Sequence, residues 1–109
     1  MSVVALADIQ KFVDNVASEF LPERVILFGS YANGQADAES DVDLLIVMPG
    51  EQSGVLVAAE IITRLKPTIP VELIVRSSRK LDERLALNDY FLREILTSGK
   101  VLYSAPNLS

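Results

Sequence analysis

Residues 24–48 read RVILFGSYANGQADAESDVDLLIVM, and this stretch decides the fold. It contains two short runs rich in β-branched, aromatic and other apolar residues, Arg24–Phe28 and Asp41–Met48, which predict two buried strands. The first run stops at Gly29-Ser30 and the second at Pro49-Gly50, which are residue types that end strands and open turns. The ten residues between Ser30 and Asp41 are small and polar, so they predict a surface connection between the two strands.

Apolar residues at helical and strand spacing surround this stretch. Before it, they predict a helix over Leu6–Phe20 that ends before Pro22. After it, they predict a helix over Val55–Leu65, a strand over Val71–Val75, a basic turn over Arg76–Lys80 and a last helix from about Asp82 to Ser98, with an inner stripe of Leu81, Leu85, Leu92, Ile95 and Leu96. A short edge strand over Val101–Tyr103 and a loose tail over Ser104–Ser109 complete the prediction. This order predicts an α/β sandwich, of the α+β kind, in which helices flank a small mixed sheet. With 109 residues, we expect residues 1–109 to form a single domain.

Composition excludes several classes of function. Lys and Arg total 10 against 15 Asp and Glu, and the net charge of −5 disfavours a dedicated nucleic-acid binder, which needs a basic face. The chain has no Cys and no His, which excludes disulfide frameworks, Cys–His zinc sites and the Ser-His-Asp triad. No apolar stretch is long enough for a membrane span, and no targeting signal is recognisable, so we expect a cytoplasmic protein.

Two acids at the start of the second strand are the first candidate functional residues. Side chains alternate along a strand, so Asp41 and Asp43 lie on the same face, where their charges repel unless a cation sits between them. A hard divalent ion such as Mg²⁺ suits oxygen ligands of this kind. Glu72 interrupts the apolar third strand, and it either faces water, as edge strands often require, or joins the metal site. If the second and third strands are neighbours, the three carboxylates meet at one end of the sheet.

Gly29-Ser30 is the complementary half of the candidate site. A strand that ends in Gly-Ser and turns into a short helix exposes backbone N–H groups and a hydroxyl, which suit phosphate oxygens, although Ser30 could also serve only as a helix cap. A Walker loop is excluded because Gln35-Ala36 replaces the required Lys-Ser or Lys-Thr. A calcium loop is excluded because Val42 stands where Gly is needed. Phosphate donors beside metal-binding acids therefore favour metal-assisted phosphoryl or nucleotidyl transfer.

Taken together, these residues resemble a known family. The segment Gly29–Gly34, the ten-residue spacer, the segment Ser40–Val47 and a later strand acid are similar to the nucleotidyltransferases of the DNA polymerase β superfamily. Within that superfamily the chain resembles the minimal nucleotidyltransferases, the MNT or MntA proteins. The ending over Arg93–Leu96 and Gly99–Tyr103 is also similar to the way those small proteins close.

The resemblance implies a role for each matching residue. Gly29 and Ser30 would hold the β- and γ-phosphates of a nucleoside triphosphate. Asp41 and Asp43 would bind two Mg²⁺ ions, and Glu72 would bind the second ion and help to deprotonate the acceptor hydroxyl. Many relatives have Arg at the position of Asn33, and its loss removes a positive charge near the phosphate loop.

The resemblance also implies a partner and a reaction. Proteins of this group act as antitoxins of HEPN-type RNase toxins, which they neutralise in a hetero-oligomeric complex by adenylylating a tyrosine, by tight binding, or by both. The implied reaction transfers AMP from ATP to a protein hydroxyl and releases pyrophosphate. Direct binding with a vestigial nucleotide site is the main alternative. Transfer to a small molecule is a third possibility, but the relatives that do so carry a further domain, for which this chain has little length.

Overall fold

A computed structural model describes residues 3–106 of the chain. In sequence order the elements are α1 (Leu6–Phe20), β1 (Arg24–Phe28), α2 (Ser30–Asn33), β2 (Val42–Met48), α3 (Gly54–Leu65), β3 (Val71–Ser77), α4 (Ser78–Ala86), α5 (Tyr90–Ser98) and β4 (Lys100–Ser104). No helix among these residues is long and apolar enough to cross a membrane.

The four strands form one mixed sheet in the order β3-β2-β1-β4. β1 pairs antiparallel with both β2 and β4, whereas β2 and β3 are parallel. The parallel pair requires a crossover, and α3 provides it between β2 and β3. The prediction of a small mixed sheet with flanking helices is confirmed, and β2 and β3 are neighbours, as convergence of the three acids requires.

Strand alternation divides the core between the two faces of the sheet. Val42, Leu44 and Ile46 of β2 face α1 and α3, where they join Phe12 and Ile61 in the larger cluster. The intervening Leu45 and Val47 face α4 and α5 and contact a second cluster. Because β2 is covered on both faces, five of its seven residues form an uninterrupted buried run, Leu44–Met48. Asp43, near the start of β2, is the one residue of the strand that is not fully buried. It lies on the α4/α5 face, at the edge of the area that these two helices cover.

The structure corrects two predictions from the sequence analysis. The predicted last helix is two helices, α4 and α5, separated by a turn in which Asn88 has φ +59°. The predicted basic turn over Arg76–Lys80 does not form, since β3 continues to Ser77 and α4 starts at Ser78. Ser77 caps α4 by accepting a hydrogen bond from the Lys80 N–H at 3.1 Å, which explains how helix follows strand directly.

The C-terminal end of the described chain is also more ordered than the predicted tail. Ser104 is the last residue of β4 and pairs with Arg24, and the Ala105 N–H donates to the Glu23 carbonyl at 2.8 Å. Residues 107–109 of the predicted tail lie outside the described residues.

Candidate active site

A row of three side chains crosses the sheet at the C-terminal end of β1. Phe28 is the register partner of Asp43, and Asp43 is the register partner of Glu72. Partnered residues of neighbouring strands lie on the same face, so the row Phe28–Asp43–Glu72 occupies the α4/α5 face. Asp43 is half-buried in the middle of the row, whereas Glu72 is exposed on the edge strand. Asp41 precedes β2 and is exposed beside this row.

The surroundings of the Asp43 carboxyl disfavour its ionised form. Burial, the charge of Glu72, a hydrogen bond with Glu72 and the charge of Asp41 together raise the pKa of Asp43 from 3.8 to about 6. The negative charges of neighbouring carboxylates repel each other, and a cation between them relieves the repulsion. The electrostatics of the Asp43–Glu72 pair therefore suit a divalent metal ion.

The carboxylates of this row suit magnesium better than a cation whose ligands must all come from the protein. Among residues 3–106, no three Asp or Glu side chains are arranged to hold one ion together. Asp43 and Glu72 form the close pair, and Asp41 acts on Asp43 through its charge alone. Mg²⁺ usually binds through one or two carboxylates and completes its shell with water and substrate phosphates. These oxygens therefore fit an ion that arrives with a triphosphate.

Gly29 is required by its position against Asp43. Its φ is +74°, a conformation that favours glycine, and a side-chain carbon on it would collide with the Asp43 carboxylate. The Gly29 carbonyl accepts hydrogen bonds from the N–H groups of Ala32 and Asn33, at 3.0 and 3.2 Å, and so starts the short helix α2. Ser30 is the first residue of α2. Both residues of the predicted phosphate loop therefore lie beside the acid row.

The other residues of this loop have local structural roles. The Asn33 amide oxygen accepts from the Gln35 N–H at 3.2 Å, which stabilises the turn through Gly34. The hydroxyl of Tyr31, whose role the sequence left open, accepts from the Val4 N–H at 2.9 Å, and its ring packs on the larger core cluster.

Sequence reasoning missed an apolar pocket of about 250 Å³ beside Gly29. It lies between α2 and α5, and the rings of Phe28 and Phe91 meet edge to face at its wall, with centroids 5.9 Å apart. The available signal was Phe28 itself, an aromatic residue directly before the Gly-Ser turn. A larger cavity, of about 610 Å³, surrounds the distant end of β3 near Arg76 and Ser77 and does not include the acid row.

A mixed sheet that sets paired acids beside a Gly-Ser turn defines the nucleotidyltransferase class. Residues 9–102 match the family model of the nucleotidyltransferase domain, and the chain belongs to that family. The prediction of a minimal nucleotidyltransferase is thereby confirmed.

Three known proteins show how far the similarity extends. The chain is 34% identical over 99 residues to "Putative protein adenylyltransferase MJ0604" of Methanocaldococcus jannaschii, covering 87% of this chain and 94% of that protein. A solved structure described as a "putative nucleotidyltransferase" from Sulfolobus solfataricus is 31% identical, with a TM-score of 0.58 over 72% of this chain and 71% of its own. A solved toxin–antitoxin complex with AMP-PNP shares the fold at 19% identity, with a TM-score of 0.58 over 89% of this chain and 74% of that one.

Proposed function

We propose that this chain is a magnesium-dependent adenylyltransferase that transfers AMP from ATP to a tyrosine hydroxyl of a HEPN-type toxin and acts as its antitoxin in the cytoplasm. The observation that carries the proposal is the Asp43–Glu72 carboxyl pair beside the Gly29-Ser30 turn. The raised pKa of Asp43 marks a site where positive charge is favourable. The family and the relative named as a protein adenylyltransferase support the same reaction class.

The residues of the chain would divide the reaction between them. Asp41, Asp43 and Glu72 would hold two Mg²⁺ ions, which when bound supply positive charge against the triphosphate. The Gly29 and Ser30 loop would bind the β- and γ-phosphates through backbone N–H groups and the Ser30 hydroxyl. Glu72 would accept the proton of the tyrosine hydroxyl while the tyrosine oxygen bonds to the α-phosphorus. The bond from the α-phosphorus to the bridging oxygen then breaks, and pyrophosphate leaves.

The acceptor is proposed to be another protein because the chain is similar to a protein described as a putative protein adenylyltransferase. Each helix among residues 3–106 packs on the sheet, so none of these elements forms a separate acceptor domain. The similar fold of a chain in a solved toxin–antitoxin complex with AMP-PNP supports a toxin in a hetero-oligomeric complex as that protein.

The reaction can be tested on the small helical protein that the proposal expects to be encoded beside this gene. We expect incubation of both proteins with Mg-ATP to add one or more AMP masses to a tyrosine of the partner, read by intact mass and peptide fragmentation. Asp43→Asn should abolish the addition, because it removes one negative charge of the metal-binding pair. Glu39→Gln, an exposed acid of the spacer, is the matched control and should leave transfer unchanged. Absence of AMP addition by the wild-type protein would refute the proposal.

The alternative is an antitoxin that works by direct binding. Asn33 favours it, because the amide is used to stabilise the loop and supplies no charge toward a triphosphate. In that case the Asp41→Asn, Asp43→Asn double variant would protect cells from the toxin as well as the wild type does. Loss of protection with an intact complex would instead require transfer.

A further inference from the structure

As far as residues 3–106 show, the outer edge of β3 carries free backbone hydrogen-bonding groups next to Glu72. β3 is an edge strand of the sheet. The Val42 N–H donates to the Pro70 carbonyl at 2.8 Å, and in a parallel ladder this assigns the backbone groups of residues 72, 74 and 76 to the bonds with β2. The N–H and C=O groups of Val71, Leu73 and Val75 therefore point away from the sheet.

The two ends of this edge differ. The Val75 carbonyl accepts from the side chain of Arg76 at 3.0 Å, and the start of α3 at Gly54 lies directly against the same carbonyl. Neither Val71 nor Leu73 exchanges a backbone hydrogen bond with a helix or loop among residues 3–106. The end distant from Glu72 is thus covered, while the end beside Glu72 is open to pairing with another strand.

A groove of about 530 Å³ follows the open end, and we call it the edge groove. Although it is surface-exposed, its walls are mainly apolar: Ile62 is 43% exposed, and Val71 and Leu73 are half-buried. The alanines on α3 leave room beside the strand for the side chains of an added segment. The main lining residues are Ala58, Ala59, Ile62, Val71, Glu72 and Leu73.

We propose that the acceptor protein enters the edge groove as an extended segment that pairs with the backbone of Val71 and Leu73 and places its hydroxyl residue opposite Glu72. The inference rests on the proposed function. Neighbouring strands lie about 5 Å apart with partnered side chains on one face, so such a residue continues the row Phe28–Asp43–Glu72. The groove is continuous with the candidate active site, because Glu72 belongs to both.

The same geometry specifies the chemistry of the segment. Its residue opposite Glu72 carries the hydroxyl, and the residues on either side point to the other face of the sheet, toward Ala59 and Ile62. Those flanking residues should therefore be small or apolar. Free backbone donors and acceptors favour a strand over a helix, because a helix satisfies its own backbone groups and cannot pair with Val71 and Leu73.

Amide hydrogen exchange on the complex with the protein encoded beside this gene tests the pairing. We expect the Leu73 amide to exchange at least tenfold more slowly in the complex than in the isolated chain. The Ile74 amide, which is assigned to the bond with β2, should be slow in both and serves as the internal reference. A complex that leaves Leu73 exchange unchanged would overturn the proposal, even if the groove side chains were protected by a docked helix. Protection of Leu73 in the isolated chain at high concentration would indicate pairing with a second copy and would also overturn it.

Substitutions in the groove provide an independent readout. Ala59→Arg and Ile62→Arg fill the groove from an exposed helix face and should each weaken binding of the acceptor protein tenfold or more. Leu56→Arg is the matched control on the same helix, since Leu56 is 71% exposed and lies outside the groove. This variant should bind the acceptor protein within twofold of the wild type. Unchanged binding by both groove variants would refute the proposal, as would absence of binding by the wild type. Binding with Leu73 protection but no AMP transfer would refute the proposed function alone.

Discussion

Asp43 is the residue whose ionisation ties the candidate site to the stability of the fold. It is held at the middle of the acid row by its strand register, with Glu72 on one side and the Gly29 turn against its carboxylate. Its pKa is raised to about 6 by burial and by the neighbouring acids. A group whose native pKa lies above its unfolded value retains its proton longer in the folded state, so its ionisation favours unfolding.

Replacing this residue should therefore stabilise the metal-free protein. Well below pH 3.8 Asp43 is protonated in both states and its charge costs nothing; the penalty grows as the pH rises through 3.8 and is complete above about pH 6 to 7. We expect Asp43→Asn to increase the free energy of unfolding by about 1 kcal/mol at pH 8, after allowance for partial solvent exposure, with almost no gain at pH 3.5. Denaturant unfolding at both pH values in EDTA measures the difference. Equal gains at both would show that the charge of Asp43 is not their cause.

At the scale of the elements, α3 depends on a glycine where it meets β3. Gly54 begins the helix, and a side-chain carbon there would collide with the backbone carbonyl of Val75. Because backbone on both sides must move, Gly54→Ala should lower the free energy of unfolding by about 1 to 3 kcal/mol, although Ala is the better helix former. Thermal or denaturant unfolding checks this. Val55→Ala, 80% exposed on the same turn, should change stability by less than about 0.5 kcal/mol.

Most of the elements could be predicted from residue patterns. The main error is the last helix, which was predicted as one helix and is two, α4 and α5. Leu81, Leu85, Leu92, Ile95 and Leu96 all contact the second core cluster, as the predicted inner stripe required. Leu85 and Leu92 are seven residues apart, so their spacing remains helical across the break between α4 and α5. The break is visible only in local chemistry: Asn88 adopts a left-handed conformation, and the Asp89 carboxylate caps α5 by accepting from the Leu92 N–H at 3.1 Å.

The candidate site was predictable in composition but not in pairing. Alternation along one strand placed Asp41 and Asp43 on a common face, yet the close carboxyl pair is Asp43 with Glu72, across two strands. Which strands are neighbours depends on the route of α3 and on the register between β2 and β3. Neither can be predicted from the residues of a single strand. The edge groove could not be predicted for the same reason, because it lies between α3 and the edge strand β3.

At the scale of the whole molecule, binding of metal and nucleotide should be visible in global unfolding. A ligand that binds only the folded state stabilises it by about 3 kcal/mol at a hundredfold excess over its Kd. We expect Mg²⁺ with a non-hydrolysable ATP analogue to raise the Tm, and EDTA to reverse the effect. Asp43→Asn should lose this response, while Glu39→Gln should retain it. A wild-type Tm that does not respond to metal and analogue at any concentration would contradict the assignment of the site.

The position of β1 in the sheet has a consequence for synthesis of the chain. β1 (residues 24–28) receives its second neighbour only from β4 (residues 100–104), so one side of a buried strand has no partner until nearly the whole domain has been translated. During elongation on the ribosome, residues 24–48 can form a hairpin whose outer edge is open to association with other nascent chains. A premature stop before residue 100 would make that exposure permanent, so a truncated product is expected to aggregate and be degraded, not to persist as a partly active enzyme.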